Sequence, residues 1–359
     1  MYFRNKYRGQ KFCPISGNLR NTKHIIKRTF DPQSNQKNDS LHPNICLGMP
    51  LYNQTEFLIE ALQSLLAQTY RDFRLVVVDD STESEPGEIV KEFALKDKRI
   101  CYVKNEFRKG LVDNWKACFQ QAGPVDYFAW VSDHDIWHPE WLASMVQVLD
   151  ARPNVLLVYP KTVYISDIGQ RIPKRRSQSF STEGLTESQR IKAVCRDARY
   201  FGKKVYGLFR ASALRRAGVF RRVLFPDLIL LLEICRFGDF KQVDNELWYL
   251  RRITQASTAR QRSSLFLRKP WYIYFPWPIV NMLVLAWNTA LRPGAGNLKR
   301  RYLGLKIALM YFYRWIAKLG RGSRIGSFNE WRKGKLPWMK KLKKWIKQSK
   351  WIQKNHRKG

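Results

Sequence analysis

Asp133-His134-Asp135 sets two carboxylates and an imidazole directly after the apolar run Tyr127-Phe128-Ala129-Trp130-Val131. An acidic pair at the end of a buried strand is costly to desolvate unless a cation or hydrogen bonds offset it. Carboxylates at i and i+2 suit a hard divalent ion, Mg²⁺ or Mn²⁺, that keeps open positions for phosphate oxygens. The same residues can equally make an Asx-turn and helix cap before Pro139. Two more polar sets end apolar runs: Pro50-Leu51-Tyr52-Asn53 after Ile45–Met49, and Asp79-Asp80-Ser81 after Arg74–Val78. Asp79 and Asp80 can accept hydrogen bonds from a base N–H or a ribose hydroxyl. A plain turn after a strand is the alternative.

The elements that must position these residues follow from periodicity. From Ile45 to Val131, strand-like and helix-like stretches alternate four times. That alternation predicts a parallel, doubly wound α/β sheet with helices on both faces. Ligands in such sheets bind beyond the carboxyl ends of the strands, which puts all three polar sets on one rim. Asn53-Gln54-Thr55 is expected to cap a helix carrying Phe57, Leu58, Leu62, Leu65 and Leu66, and Gly110 to open another. The chain has no Walker-type phosphate loop and no Gly-x-Gly-x-x-Gly, which argues against a P-loop enzyme or a nicotinamide dehydrogenase. An acidic rim of this kind would hold a nucleotide diphosphate through a metal rather than through backbone amides.

The totals narrow the partners. Across 359 residues, 65 Lys+Arg face 29 Asp+Glu, a net charge of +36 that calls for a polyanionic neighbour. Thirteen Trp residues among those cations favour a membrane interface. Six scattered cysteines without Cys-x-x-Cys spacing read as buried free thiols in a reducing compartment. Residues 1–44 read as a basic flexible arm without the apolar core of a secretory signal.

Pro50-x-Tyr52-Asn53, Gln68-Thr69-Tyr70-x-Asp72-Phe73, Val76-Val77-Val78-Asp79-Asp80-Ser81 and the acidic cluster with Trp137-x-Pro139 together resemble family 2 glycosyltransferases of GT-A fold. The match runs over about residues 45–165, with a weaker continuation through Tyr206-Gly207-Leu208-Phe209-Arg210, Phe225-Pro226-Asp227 and Glu246–Arg252. The resemblance implies a Rossmann-like, mostly parallel sheet and an inverting transfer from a nucleotide-diphosphate sugar. It assigns Pro50, Tyr52 and Asp80 to the nucleobase, and the acidic cluster to a metal that bridges the diphosphate. The family's usual metal carboxylate aligns with His134, so either His134 is a ligand, better suited to Mn²⁺, or a neighbouring Asp replaces it.

The second half supplies a base and an anchor. Asp227, after Phe225-Pro226 and before an apolar helix, matches the family's base position; a helix cap is the competing role. Glu233, further into the helix, is the second candidate. Arg251-Arg252 can neutralise a leaving diphosphate by bidentate contacts or simply end a solvated strand. Val155–Val163 reads as a strand pair broken by Pro160, and Gly169–Gly184 as a loop able to close over the donor.

Trp271–Leu291 lacks charged residues, yet its prolines favour a re-entrant or interfacial segment over a bilayer span. After Arg292, twenty Lys/Arg face one acid, Glu330. Trp338, Leu342, Trp345, Ile346 and Ile352 form the apolar stripe of a cationic amphipathic helix, which fits an anionic membrane better than nucleic acid.

The expected organisation is therefore the arm, a GT-A domain over 45–262, and a membrane-associating region over 263–359. The expected reaction is metal-dependent, inverting sugar transfer to a lipid-linked or cell-surface polysaccharide acceptor (glycan or glycolipid) at the cytoplasmic face of the cell membrane, by a peripheral or monotopic enzyme. A sugar nucleotidyltransferase, or a non-catalytic membrane- or nucleic-acid-binding protein on a degenerate GT-A fold, are the alternatives.

Overall fold

The computed structural model describes residues 44–173, 179–252, 265–267 and 270–319. Most of the basic arm, and the cationic stretch containing Trp338–Ile352, lie outside the described residues. An eight-stranded sheet runs in the order β3-β2-β1-β4-β7-β6-β8-β5. Its first half is β1 (Ile45–Leu51), β2 (Phe73–Asp79), β3 (Ile100–Lys104) and β4 (Tyr127–Trp130), all parallel. Strict alternation builds both layers of the core from these strands. Leu75 and Val77 point to one face, where α1 (Leu58–Leu66) and α4 (Trp141–Ala151) pack. Val76, Val78, Phe128 and Trp130 point to the other, towards α3 (Leu111–Gln121).

The second half departs from the expected mostly parallel sheet. Short β7 (Leu208–Arg210) runs antiparallel between β4 and β6 (Val155–Ile165), and β5 (Ile136–Trp137) runs antiparallel to β8 (Asp239–Arg251). Only β6 and β8 pair parallel there, so the sheet is mixed. A three-residue strand carries too little pattern to reveal its direction. Pro160 does not break a strand pair as expected. It sits inside one eleven-residue strand, at a register irregularity between Tyr159 and Lys161, a position where the missing N–H is tolerated.

Asn53 is not a helix cap. It adopts φ 50°, its N–H donates to Ser81 Oγ at 2.9 Å and its side chain bonds Thr82, while α1 starts five residues later. This joins the first two rim clusters directly.

On the α3 face, α5 (Glu187–Asp197), a 3-10 turn (Ala198–Tyr206), α6 (Ala211–Ala217) and α7 (Pro226–Ile234) extend the core. That core continues into α8 (Trp277–Ala286) and α9 (Leu298–Leu319) through Leu285, Leu303, Ile307 and Tyr311. Buried Asn281 on α8 donates to the Leu224 carbonyl at 2.9 Å and to Tyr311 Oη at 3.0 Å. The uncharged stretch 271–291 is thus divided into a 3-10 turn, α8 and a π-turn. Among the described residues no helix is long and apolar enough to cross a membrane. Five of the six cysteines are described, and all five are buried and outside any disulfide among the described residues.

Candidate active site

Because β1, β2 and β4 are parallel, their carboxyl ends bring the three polar clusters to one rim. At the β1 end, Tyr52 is 46% exposed and Arg108 stacks 4.5 Å over its ring. Pro50 stands half-buried beside buried Asp80 on the neighbouring strand end, where Asp80 N–H donates to the Leu51 carbonyl at 2.9 Å. Asp80 accepts from Asn105 Nδ2 (2.9 Å) and from the Lys109 (2.7 Å) and Gly110 (2.8 Å) main-chain N–H groups. With about four lone-pair sites on a carboxylate, one stays open to a ligand. Gly110 reaches this position at φ 80°, a backbone that glycine tolerates.

Asp79 is fully buried and turned the other way. It accepts from Ser81 N–H at 2.7 Å, Tyr102 Oη at 2.7 Å and Lys104 Nζ at 3.0 Å. Burial alone would raise its pKa, but these donors outweigh it and hold the carboxyl below the usual range. These three bonds join β2, β3 and the following turn.

In the acidic cluster the three residues differ. His134 Nδ1 lies 2.6 Å from Asp133 Oδ1, and His134 Nε2 is 4.0 Å from Asp135 Oδ1. Burial lowers the imidazole pKa, but the two carboxylates more than reverse this and raise it. Asp135 is 2% exposed and accepts from Arg251 N–H at 2.9 Å and Trp248 Nε1 at 3.1 Å, which fastens β8 to the cluster. Burial raises its pKa. Among the described residues no group of three or more His, Cys, Asp or Glu is arranged to hold a metal. The donor chemistry nevertheless fits a cation that takes two protein ligands. The Asp133 contact places the ring proton on Nδ1, leaving the Nε2 lone pair facing Asp135 Oδ1, as in carboxylate–histidine–metal arrangements.

Arg251 is spoken for. Its guanidinium donates to the carbonyls of His134 (3.0 Å), Ser166 (3.2 Å) and Asp167, and to Glu60, and it lies 4.4 Å over the Phe57 ring. It therefore ties β8, α1 and the turn after β6 together. Arg252 is exposed. Lys203 of the 3-10 turn approaches the Tyr164 ring at 3.7 Å, and burial together with Arg252 pushes its amine down to about 8. No carboxylate salt bridge is formed by Lys203 or Arg252 among the described residues.

Asp227 stands in the first turn of α7, half-buried beside a cavity of about 400 Å³. Burial raises its pKa, opposed by the main-chain N–H groups of Leu228 and Asp227. Tyr206, on the cavity wall with Asp227, lies 5.1 Å from the ring of Trp248, whose Nε1 donates to Asp135, so one aromatic contact links the cavity to the acidic cluster. Glu233 lies deeper, paired with Arg221 at 3.0 Å, and burial pushes its carboxyl up to about 7. It faces a structural partner rather than the cavity. Sequence reasoning missed Lys203, Tyr206 and Arg108. Basic residues carry no signal in a chain with 65 of them, and Tyr206 had registered only as the start of a motif.

This arrangement, an acidic rim on a doubly wound half-sheet with a carboxylate facing a separate cavity, is that of a glycosyltransferase. The glycosyl transferase family 2 model matches residues 46–222, so this stretch of the chain is a family 2 glycosyltransferase domain. An uncharacterized glycosyltransferase of Methanocaldococcus jannaschii is 28% identical over 141 residues, 38% of this chain and 48% of that relative. One of Rickettsia prowazekii is 28% identical over 118 residues, 33% of this chain and 36% of that relative. The match thus spans less than half the length of these curated relatives. Among solved structures, S. aureus TarS superposes with a TM-score of 0.56 at 15% identity, over 80% of this chain and 46% of that one. TarS 1-349 in complex with UDP-GlcNAc gives 0.55 at 17% identity, over 80% and 77%. At these identities the likeness establishes a shared fold.

Proposed function

We propose that the protein transfers one sugar, with inversion and metal dependence, from a nucleotide-diphosphate sugar to a lipid-linked or cell-surface glycan acceptor at the cytoplasmic face of the cell membrane. The observation that carries this reading is the chain of contacts from Asp135 through Trp248, which donates to it at 3.1 Å, to Tyr206, whose ring lies 5.1 Å from Trp248 on the wall of the Asp227 cavity. It supports an acidic cluster and a second carboxylate joined through one aromatic wall. TarS, of similar fold, binds UDP-GlcNAc, which supports a nucleotide-sugar donor.

In this mechanism the base stacks against Tyr52 and Arg108 and donates to the open acceptor site of Asp80. Lys203 and Arg252, which form no carboxylate salt bridge among the described residues, face the diphosphate as cations. A divalent ion held by His134 and Asp135, with Asp133 orienting the ring, would supply charge neutralisation for the leaving diphosphate. Asp227 removes the proton from the acceptor hydroxyl as its oxygen attacks the anomeric carbon and the bond to the diphosphate oxygen breaks. The raised carboxyl suits this role, since a base works best with a pKa near the operating pH.

Membrane contact is proposed on the α8–α9 hairpin. Trp271, Leu283, Trp287, Leu291, Tyr302 and Tyr313 are exposed there, close in sequence to Lys299, Arg300 and Arg301.

A thermal-shift panel of UDP, GDP and dTDP and their sugars, with and without Mn²⁺, tests the reading. One nucleotide should raise Tm by mass action, and more so with Mn²⁺. No shift with any of them would sink the proposal.

A further inference from the structure

The Asp227 cavity has a composition that bears on the acceptor. Its walls are Leu111, Val112 and Trp115 of α3, Val205 and Tyr206 of the 3-10 turn, Phe220 and Leu224–Asp227, and Trp277 of α8 with Leu265. The side-chain polar groups among them are the Asp227 carboxylate, the Tyr206 hydroxyl and two indole N–H groups. A saccharide brings a hydroxyl on nearly every ring carbon, and each one buried without a partner loses its hydrogen bonds to water. This wall cannot replace them. An alkyl or prenyl chain loses nothing here and gains aromatic and aliphatic contact.

The backbone around the cavity is also unusual. Val219 (φ 60°) and Phe225 (φ 57°) both adopt the left-handed region, the first β-branched and the second preceding a proline. They flank the segment that presents Phe220 and Leu224, and Phe225 stands two residues before Asp227. Strain held at both ends of a site wall marks a conformation that the surrounding packing enforces. Asn281 of α8 holds that segment through the Leu224 carbonyl, and Trp277 meets Phe225 edge-to-face with ring centroids 4.9 Å apart.

We infer that the cavity is an acceptor subsite for an amphiphile whose apolar chain lies directly beside the reacting hydroxyl, with the chain against Trp115, Phe220 and Trp277 and the hydroxyl at Asp227. This rests on the reading of Asp227 as the base, and of the acceptors proposed above it keeps the lipid-borne one, with the reacting hydroxyl next to the lipid, and rejects a free polysaccharide end.

The full-length protein is titrated calorimetrically with n-decanol as the probe, and separately with glucose and maltose. Decanol should bind at one site per chain and the sugars should not bind at millimolar concentration. Leu111→Trp, placed at the partly exposed edge of the cavity, should weaken decanol at least tenfold. Should that variant fold poorly, a diazirine-bearing decanol on the wild-type protein gives an independent readout, with cross-links expected within 111–115 and 220–227. No decanol binding, sugar binding of equal strength, unchanged affinity in Leu111→Trp, or cross-links confined to 298–319 would each overturn the inference. The nucleotide thermal-shift panel separates the two claims. A nucleotide shift without decanol binding removes only the amphiphile, whereas decanol binding without any nucleotide shift removes the transferase reading on which it rests.

Discussion

A Cβ built on Gly202 would stand 2.6 Å from Oδ2 of Asp227, so the missing side chain at 202 leaves the Asp227 carboxylate its place against the 3-10 turn. The atom it meets is the end of a carboxylate that can swing away. Gly202→Ala should therefore leave Tm nearly unchanged while lowering kcat about tenfold or more by displacing the base. Asp227→Asn sets the ceiling, a loss of about 10²–10⁴ in kcat with nucleotide affinity kept. Near-normal turnover in Asp227→Asn would take this carboxylate out of the chemistry.

The metal assignment separates a ligand from the group that orients it. His134→Ala should abolish the Mn²⁺-dependent part of the nucleotide thermal shift. Asp133→Asn should weaken Mn²⁺ by about 10–100-fold through loss of ring orientation. If His134→Asp binds Mn²⁺ and turns over as well as wild type, the imidazole is a substitute and not a requirement.

Adjacent arginines at the end of β8 should behave differently. Arg251→Ala strands the carbonyls of His134, Ser166 and Asp167 and should cost about 2–3 kcal/mol of stability in urea unfolding. Nothing is added for Glu60, whose side chain is half exposed. Arg252→Ala should stay within about 0.5 kcal/mol of wild type yet weaken nucleoside-diphosphate binding. Equal melting behaviour of the two variants would contradict the clamp assigned to Arg251.

Acid should loosen the β2–β3 corner. The Asp79 carboxyl is held below its unfolded value of about 3.9, so its stabilising contribution is complete above that pH. It fades as pH falls through the lower, folded value. Melting curves from pH 6 down to 2 should show wild type losing more Tm than Asp79→Asn, which starts lower and has no such carboxyl to protonate.

Lys203 gives the opposite signature at alkaline pH. With its amine pushed down to about 8, part of the population is neutral near that pH. A bound diphosphate favours the ammonium form and pulls the pKa back up. Calorimetry at pH 8 in buffers of different ionisation enthalpy should detect proton uptake approaching about half a proton per nucleotide. It should vanish at pH 6 and in Lys203→Met.

The first half of the molecule was legible because its strands are buried on both faces and its helices repeat apolar residues at helical spacing. Ile45 and Val76–Val78 fell in strands, as their runs required, and the rim followed from strand direction alone. The second half was less so. The direction of β7 is set by partners far away in the chain, and Pro160 was read by its usual effect rather than by the irregularity that accommodates it. Asp135 shows the limit for the site. Its two partners, Trp248 and the Arg251 main chain, are 113 and 116 positions away, and no local spacing announces them. Asp227 is marked in the sequence by a proline and an apolar helix, whereas the cavity beside it is assembled from five separate stretches of chain.

The Asn281 bond to the Leu224 carbonyl has a consequence for how such enzymes diversify. The three polar clusters of the rim are built from residues before 136, while the wall of the Asp227 cavity leans on a hairpin after 276. Substitutions along α8 should therefore reshape the cavity while leaving those clusters in place.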